Sequence, residues 1–144
     1  MGHFHSGNLS RFIVRYIYAK GKVSIQEGAE HCQNKIDSTK TKSQRSKAER
    51  DFGFFASEGM RSDIGDLKNG LELVIRHHYN NKILEPVFRN DYEEFLFEDW
   101  EDNGVGEMYD DAVQRFDNIQ WKFASGGRRK YIDKKVTYIN EIEL

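Results

Sequence analysis

Apolar residues near the N-terminus recur at helical spacing. The positions i, i+3, i+4, i+7 and i+8 are occupied by Leu9, Phe12, Ile13, Tyr16 and Ile17. Such a stripe is typical of an amphipathic helix with one buried face. The pattern therefore predicts a first helix that begins after Asn8 and ends at Gly21.

Two more helices are predicted before residue 60. Ser24 and Glu27 have the spacing of a capping box, which predicts a short second helix ending at about Cys32. A polar stretch, Gln33 to Thr41, separates it from a third helix of about Ser43 to Ser57. The inner face of the third helix is predicted to carry Ala48, Phe52 and Phe55. This order is that of a helix-turn-helix, so residues 1–60 are predicted to be a DNA-binding domain.

Residues 61–125 are predicted to form a helical oligomerisation domain. A helix starts at Ser62 or Asp63, and the segment Leu71 to His77 fits a helix better than the alternative, a wing strand. Pro86 suits the first position of a further helix. Its inward residues would be Leu84, Phe88, Tyr92 and Phe95.

A break at Asn103-Gly104 precedes the last predicted helix, about Glu107 to Ala124. Together with the helix from Pro86 it predicts an αα-hairpin. Trp121 would project away from the apolar stripe of this helix. Such a tryptophan either covers a neighbouring element or anchors a contact between subunits.

The final segment, residues 126–144, is predicted to contain a short strand. One face of that strand would carry Val136, Tyr138, Ile142 and Leu144. The predicted fold class is therefore mainly α, with an N-terminal helix-turn-helix, a central αα-hairpin and a C-terminal β segment.

Composition agrees with a folded, largely helical chain. Aromatic residues make up 13% and charged residues 32%, which favours a small core under a charged surface. A single proline favours long helices, and a single cysteine, Cys32, fits a reducing compartment. No apolar run reaches the ~20 residues of a membrane span, and the N-terminus lacks a secretory pattern. We therefore expect a cytoplasmic protein with no membrane partner.

The net charge of -2 conceals a segregation of charge. Acidic residues dominate from Glu85 to Asp111, whereas residues 35–50 and the tail from Lys122 are basic. The candidate DNA-binding residues lie in the first basic segment and are Lys35, Lys40, Lys42, Arg45, Lys47 and Arg50. Such cations can contact phosphates. The alternative interpretation is a solvated surface helix.

The chain offers little for metal or catalytic chemistry. The segment Asp99 to Asp110 resembles an EF-hand loop only superficially, and the histidines and Cys32 lack zinc-ligand spacing. The P-loop, dinucleotide, hydrolase and metalloprotease motifs do not occur. We therefore predict no cofactor, no metal and no enzymatic activity.

A compact signature lies between Arg115 and Lys134. The sequence RFDNIQWKFASGGRRKYIDK contains R-x-D-x-x-x-W followed, after a short gap, by R-K-Y-x-D-K. This pattern resembles the C-terminal signature of phage small terminase subunits over about twenty residues. Its positions are Arg115, Asp117, Trp121, Arg129, Lys130, Tyr131, Asp133 and Lys134.

The resemblance implies a viral DNA-packaging protein without a catalytic site of its own. Small terminase subunits recognise viral double-stranded DNA, assemble as homo-oligomeric rings and regulate the ATPase and nuclease of the large terminase subunit. The signature residues are then structural and assembly residues. In this interpretation Trp121 and the tail 136–144 make the contacts between subunits.

Three alternatives remain open at the level of sequence. A dimeric helix-turn-helix transcription regulator would share the DNA-binding domain but form a two-fold dimer on a palindrome. A small metal-dependent nuclease would use the acidic segment. An acidic inhibitor would imitate DNA through Glu85 to Asp111.

Overall fold

The protein is mainly helical, with a small antiparallel sheet. Its structure, a computed structural model, describes residues 7–52, 63–103 and 117–134. The helices are α1 (Gly7–Lys20), α2 (Ile25–Asp37), α3 (Lys42–Phe52), α4 (Ile64–Asn80), α5 (Asp91–Asn103) and α6 (Gly127–Lys134). The strands are β1 (Val23–Ser24), β2 (Leu84–Val87) and β3 (Gln120–Phe123).

Helix α1 confirms the first predicted helix. Leu9, Phe12, Ile13 and Ile17 are all buried. Gly21 follows the helix at a φ of 94°, a left-handed conformation that glycine adopts without steric cost. Its amide donates to the carbonyl of Ile17 at 2.8 Å and so closes the last turn.

Helix α2 starts as predicted but runs further. The Ser24 side chain accepts a hydrogen bond from the Glu27 amide at 3.0 Å, as an N-cap should. The Glu27 carboxylate accepts a hydrogen bond from the Tyr16 phenol and thereby joins α2 to α1. The prediction that residues after Cys32 form a loop is wrong, because the helix continues to Asp37 and buries Ile36.

Helix α4 confirms the favoured alternative for the segment 71–77. Asp63 is its N-cap, and the Asp63 carboxylate accepts from the Asp66 amide at 2.9 Å. Its buried residues recur at helical spacing and face α1 and α2; they are Leu67, Gly70, Leu71, Val74, Ile75 and His78. Helical periodicity therefore outweighed the alternation of Leu71, Leu73 and Ile75.

The sheet has the strand order β1-β3-β2, and both neighbouring pairs are antiparallel. Trp121 in the central strand lies opposite Val23 on one side and Pro86 on the other. Pro86 is tolerated because β2 is an edge of this sheet, where a missing amide breaks no second ladder. The prediction that Pro86 begins a helix is therefore wrong.

The predicted hairpin is also wrong where it can be compared. The helix after β2 starts at Asp91, and it buries Leu96 and Phe97 while Tyr92 and Phe95 are exposed. Residues 120–123 form β3 instead of the end of a helix. The rest of the predicted partner helix, residues 107–116, lies outside the described residues.

The C-terminal segment begins with a helix. Residues 127–134, which precede the predicted strand in the segment 126–144, form α6. A Cβ atom at Gly127 would lie 2.0 Å from the carbonyl oxygen of Ile83, which explains why this position needs glycine. The predicted tail strand, residues 136–144, lies outside the described residues, as does Phe55 of the third helix.

One hydrophobic core joins all of these elements. It contains residues of α1, α2, α4 and α5, of all three strands and of α6. All three predicted segments, 1–60, 61–125 and 126–144, contribute to it. Among the described residues, no helix combines the length and apolar character needed to cross a membrane.

Trp121 lies at the centre of this core and is 0% exposed. Its ring packs edge-on against the rings of Phe97 and Tyr79, with ring centroids 5.7 Å and 6.0 Å away respectively. The prediction that Trp121 projects from the apolar stripe of a helix is wrong, because it lies on a strand. A fully buried side chain has no surface left to contact a second subunit, so Trp121 holds the fold together.

We expect Trp121→Ala to lower the free energy of unfolding by about 3–5 kcal/mol, as for other buried large aromatics. Denaturant unfolding followed by circular dichroism measures this loss. Leu73→Ala is the control, since Leu73 is 42% exposed on α4, and should change stability little. Equal effects of the two substitutions would contradict the central position of Trp121.

Candidate nucleic-acid interface

The connection between α2 and α3 is only four residues long, Ser38–Thr41. Ser38 ends α2: its amide donates to Asn34 O at 2.9 Å and its hydroxyl to Lys35 O at 3.0 Å. The Thr39 hydroxyl donates to Ile36 O at 2.7 Å. These bonds satisfy carbonyls at the helix end and define the turn. The predicted long polar loop is therefore a short, hydrogen-bonded turn.

Helix α3 begins with a hydrogen-bonded cap, and the residue pattern of this cap is visible in the sequence. The Thr41 hydroxyl accepts from the Gln44 amide at 3.1 Å, and the Gln44 side chain accepts from the Lys40 amide at 3.0 Å. Thr41-x-x-Gln44 has the spacing of a capping box, although Gln44 reaches one residue further back than usual. This signal identifies the start of α3 more closely than the predicted start at Ser43.

The inner face of α3 is apolar. Ala48 and Phe52 are partly buried against the core. The Phe52 ring meets Phe12 of α1 edge-on, with centroids 6.4 Å apart, and His31 of α2 stacks on Phe12 at 5.1 Å. Helix α3 is therefore seated on both α1 and α2, which confirms Ala48 and Phe52 as its inner residues.

Arg45 differs from the other candidate cations, because it is engaged within the chain. Its guanidinium lies 3.2 Å from Asp37 of α2 and 3.6 Å from Glu49, one turn along α3. Glu49 is itself nearly buried. Arg45 therefore joins α3 to α2, and its charge is balanced by two carboxylates.

The remaining candidate cations are exposed. Lys40, Lys42, Lys47 and Arg50 form no ion pair with another described residue. At about 100° per residue, Lys47 and Arg50 point away from Ala48 and Phe52. Lys35 is exposed on α2.

Two serines complete the outward face of α3. Ser43 and Ser46 are exposed and share a stripe with Lys47 and Arg50 at i, i+3, i+4 and i+7. Ser46 was not among the predicted site residues, although its helical spacing from Arg50 identifies it. Hydroxyls and cations in one stripe offer both phosphate contacts and groups that can hydrogen-bond to base edges.

Besides Trp121, two signature residues are buried and structural. Asp117 is 5% exposed, its carboxylate lies 3.2 Å from the Lys68 ammonium, and its carbonyl accepts from the Gln26 amide at 2.9 Å. Burial raises the pKa of Asp117, against the opposing hydrogen bond and charge of Lys68. Tyr131 is 6% exposed, and burial raises its pKa as well.

Among the other signature residues, the structure describes the side chains of Arg129 and Lys130. Arg129 and Lys130 are exposed on α6. Asp133 and Lys134 lie in the last turn of the same helix, and Arg115 lies outside the described residues. The structure thus brings Trp121 and Tyr131 into the core and leaves the α6 cations on the surface.

The described residues contain no group of three or more His, Cys, Asp or Glu side chains arranged to hold a metal ion. Cys32 is fully buried, and burial raises the pKa of its thiol to about 12. A thiol that stays protonated at neutral pH is a poor nucleophile. The predicted EF-hand-like segment from Asp99 extends beyond the described residues.

Comparison with protein-family models, with curated proteins and with solved structures finds no significant match to this chain.

The aromatic seat of α3 is sensitive to pH through His31. Burial first, and the nearby positive charge of Lys35 second, lower the pKa of His31 below 6.5. The folded state therefore favours the neutral ring, while the unfolded chain takes up a proton as pH falls through 6.5. This contribution to stability is complete above that pH and is lost as pH falls through the lowered pKa of the folded state.

We expect the free energy of unfolding to decrease as the pH is lowered from about 7.5 to about 5.5. The decrease should be smaller in His31→Phe, because phenylalanine keeps a ring on Phe12 but cannot titrate. Denaturant titrations at each pH measure it. His77→Gln is the control, since His77 is exposed on α4 and should leave the wild-type dependence intact. An identical pH dependence in His31→Phe and wild type would contradict the role of His31.

Proposed function

We propose that the protein binds double-stranded DNA through the outward face of α3. The observation that carries this proposal is the division of α3 into two sides. Ala48 and Phe52 seat one side on the core, while Lys47 and Arg50 project from the other without an ion pair to a described residue. A helix that enters a groove of DNA needs such a seat, because its outward side chains must be held in a fixed position relative to the phosphates.

The connection to α2 supports the same function. In a helix-turn-helix the second helix reads the major groove and is positioned by the first through a short turn. Here the turn Ser38–Thr41 is hydrogen-bonded, and the Arg45–Asp37 pair at 3.2 Å ties α3 to α2. Positioning matters, because phosphate contacts set the register from which side chains reach base edges. Ser43 and Gln44, near the N-terminus of α3, are the residues that we assign to base contacts.

We further propose that this DNA binding serves viral genome packaging, in a small terminase subunit without catalytic activity. The support is the signature resemblance; three of its residues, Asp117, Trp121 and Tyr131, are buried in the core and so have a structural role. The proposed partners are double-stranded DNA, a large terminase subunit whose ATPase and nuclease this protein regulates, and further copies of this chain in a ring.

Assembly needs a contact other than Trp121. Helix α5 exposes Tyr92 and Phe95, at 45% and 61%, with ring centroids 6.3 Å apart. The acidic residues Asp91, Glu94 and Glu98 surround this pair and are exposed. Exposed aromatics at a polar rim are typical of contact surfaces. We assign the contact between copies to this face of α5.

The DNA-binding proposal predicts a specific salt dependence. We expect Lys40→Ala, Lys47→Ala and Arg50→Ala together to weaken binding to all duplex sequences. The slope of log K against log salt should fall by about 0.9 per lost phosphate contact, so by up to about 2.7. Fluorescence anisotropy between about 50 and 200 mM salt measures the slope. Lys122→Ala removes an exposed cation from the sheet and is the control.

An unchanged slope in the triple variant, with its circular dichroism intact, would contradict the assignment of DNA binding to α3. Ser43→Ala offers a second measurement, because losing a base contact changes sequence specificity, whereas losing a phosphate contact changes the salt slope. It should reduce the preference for a selected duplex over a random one while the salt slope stays as in wild type.

The assembly proposal predicts an oligomer larger than a dimer at micromolar concentration, measured by light scattering. Tyr92→Ser with Phe95→Ser should lower its mass, whereas Leu73→Ser, at an exposed aliphatic position of α4, should not. Salt should strengthen the assembly, because screening weakens repulsion between the acidic residues around the contact. A monomeric wild type would exclude the ring.

A further inference from the structure

Helix α1 presents three different sides to its surroundings. Phe12 and Tyr16 face α2 and α3, as their contacts with His31 and Phe52 show. The core side contains the buried Ile13 and Ile17. A third side carries Arg11, Arg15 and Tyr18 at i, i+4 and i+7, and α1 contains no acidic residue.

Helix α6 contacts this third side at Tyr18. The Arg128 guanidinium donates to the Tyr18 hydroxyl at 3.0 Å and lies 4.4 Å from the centroid of its ring. Tyr131, one turn further along α6, is hydrogen-bonded to Ser10 and meets the His78 ring edge-on at 5.8 Å. Two contacts therefore fix α6 over the length of α1 from residue 10 to residue 18. We call Arg11, Arg15, Tyr18, Arg128, Arg129 and Lys130 the α1–α6 platform.

The platform adjoins α3 through Arg15. At about 100° per residue, Arg15 lies about 60° around α1 from Phe12, where α3 is seated, and about 60° from Tyr18, where α6 is seated. Arg15 is half-buried, and its Nε has no hydrogen-bond partner among the described residues. Positive charge thus continues from α3 over α1 to the exposed Arg129 and Lys130 of α6.

Like charges on one surface repel, and the contact with Tyr18 keeps Arg128 beside the cationic side of α1. The Arg128 guanidinium lies over an aromatic ring, which attracts a cation without neutralising it, and Arg128 forms no ion pair with a described residue. A polyanion relieves the repulsion of the whole set, and its binding releases counterions to solution. Cations distributed over two helices suit a chain of phosphates better than a single small anion.

We propose that the α1–α6 platform is a second phosphate-binding surface, continuous with α3, so that one DNA backbone runs from Lys47 and Arg50 past Arg15 to Arg129 and Lys130. The proposal rests on the proposed function, since it extends the DNA contact of α3. Arg15 is the bridging contact, and Tyr18 and Tyr131 are positioning residues.

A second copy of the chain is the rival occupant, because the acidic face of α5 has the opposite charge. The two surfaces lie on different sides of α4: His78 contacts Tyr131 of α6, whereas the next residue, Tyr79, contacts Phe97 of α5. DNA is favoured because the platform continues a cationic surface already assigned to DNA. The α5 face has aromatic residues of its own, Tyr92 and Phe95, which suit an apolar contact instead.

The test uses the full chain with Arg129→Gln and Lys130→Gln, because both side chains are exposed and their loss should leave the fold intact. We expect the salt slope of duplex binding to fall by up to about 1.8, at about 0.9 for each lost contact. The fall should add to that of the α3 triple variant, and the mass without DNA should stay as in wild type. Arg15→Gln should lower the slope separately, with Arg15→Lys as the variant that keeps the charge.

Lys122→Gln is the control, compared per removed charge, because its cation lies 3.4 Å from Glu85 on the sheet. A normal slope in the platform variant, alongside a reduced one in the α3 variant, would overturn the platform and leave the proposed function standing. A normal slope with a reduced mass would overturn it in favour of a contact with a second copy. Wild-type protein that binds no duplex would overturn both proposals.

Discussion

Burial of Trp121 in the central strand is the interaction on which the rest of the structure depends. β3 pairs with β1 on one side and with β2 on the other, so every strand of the sheet needs it. The indole contacts Tyr79 of α4 and Phe97 of α5, and thereby fixes both helices to the sheet. A short sheet of two to four residues per strand has little stability of its own. The aromatic contacts of Trp121 supply the stability that the few backbone hydrogen bonds of this sheet cannot provide.

The elements predicted correctly are those with a local signal. Helix α1 has a full apolar stripe, α2 has the cap at Ser24, and α4 has the cap at Asp63, so each could be identified without tertiary information. These signals depend only on neighbours within one or two turns. The inner face of α3, Ala48 and Phe52, was predicted for the same reason.

The elements predicted wrongly are those fixed by distant partners. Ile119 and Trp121 are buried and alternate with Gln120 and the exposed Lys122, a period of two that signals a strand. In the sequence this short alternation directly follows a helical apolar pattern, so the predicted helix extends over it. Pro86 belongs to a strand only because β3 pairs with it. For the candidate site, the positions of the cations could be predicted, but the capture of Arg45 by Asp37 required the turn that brings α2 and α3 together.

The antiparallel sheet also constrains how the chain can fold as it is made. β1, at residues 23–24, can pair only after β3 has been made, and β3 lies at residues 120–123, almost a hundred positions later in the chain. Contacts between such distant positions slow folding, because a long loop must close before they form. Synthesis runs from the N-terminus at about 5–20 residues per second, so α1, α2 and α3 emerge seconds before the strand that completes their core. The cationic helix α3 is therefore exposed early on an unfinished scaffold, and the core around Trp121 can close only when β3, residues 120–123, has left the ribosome.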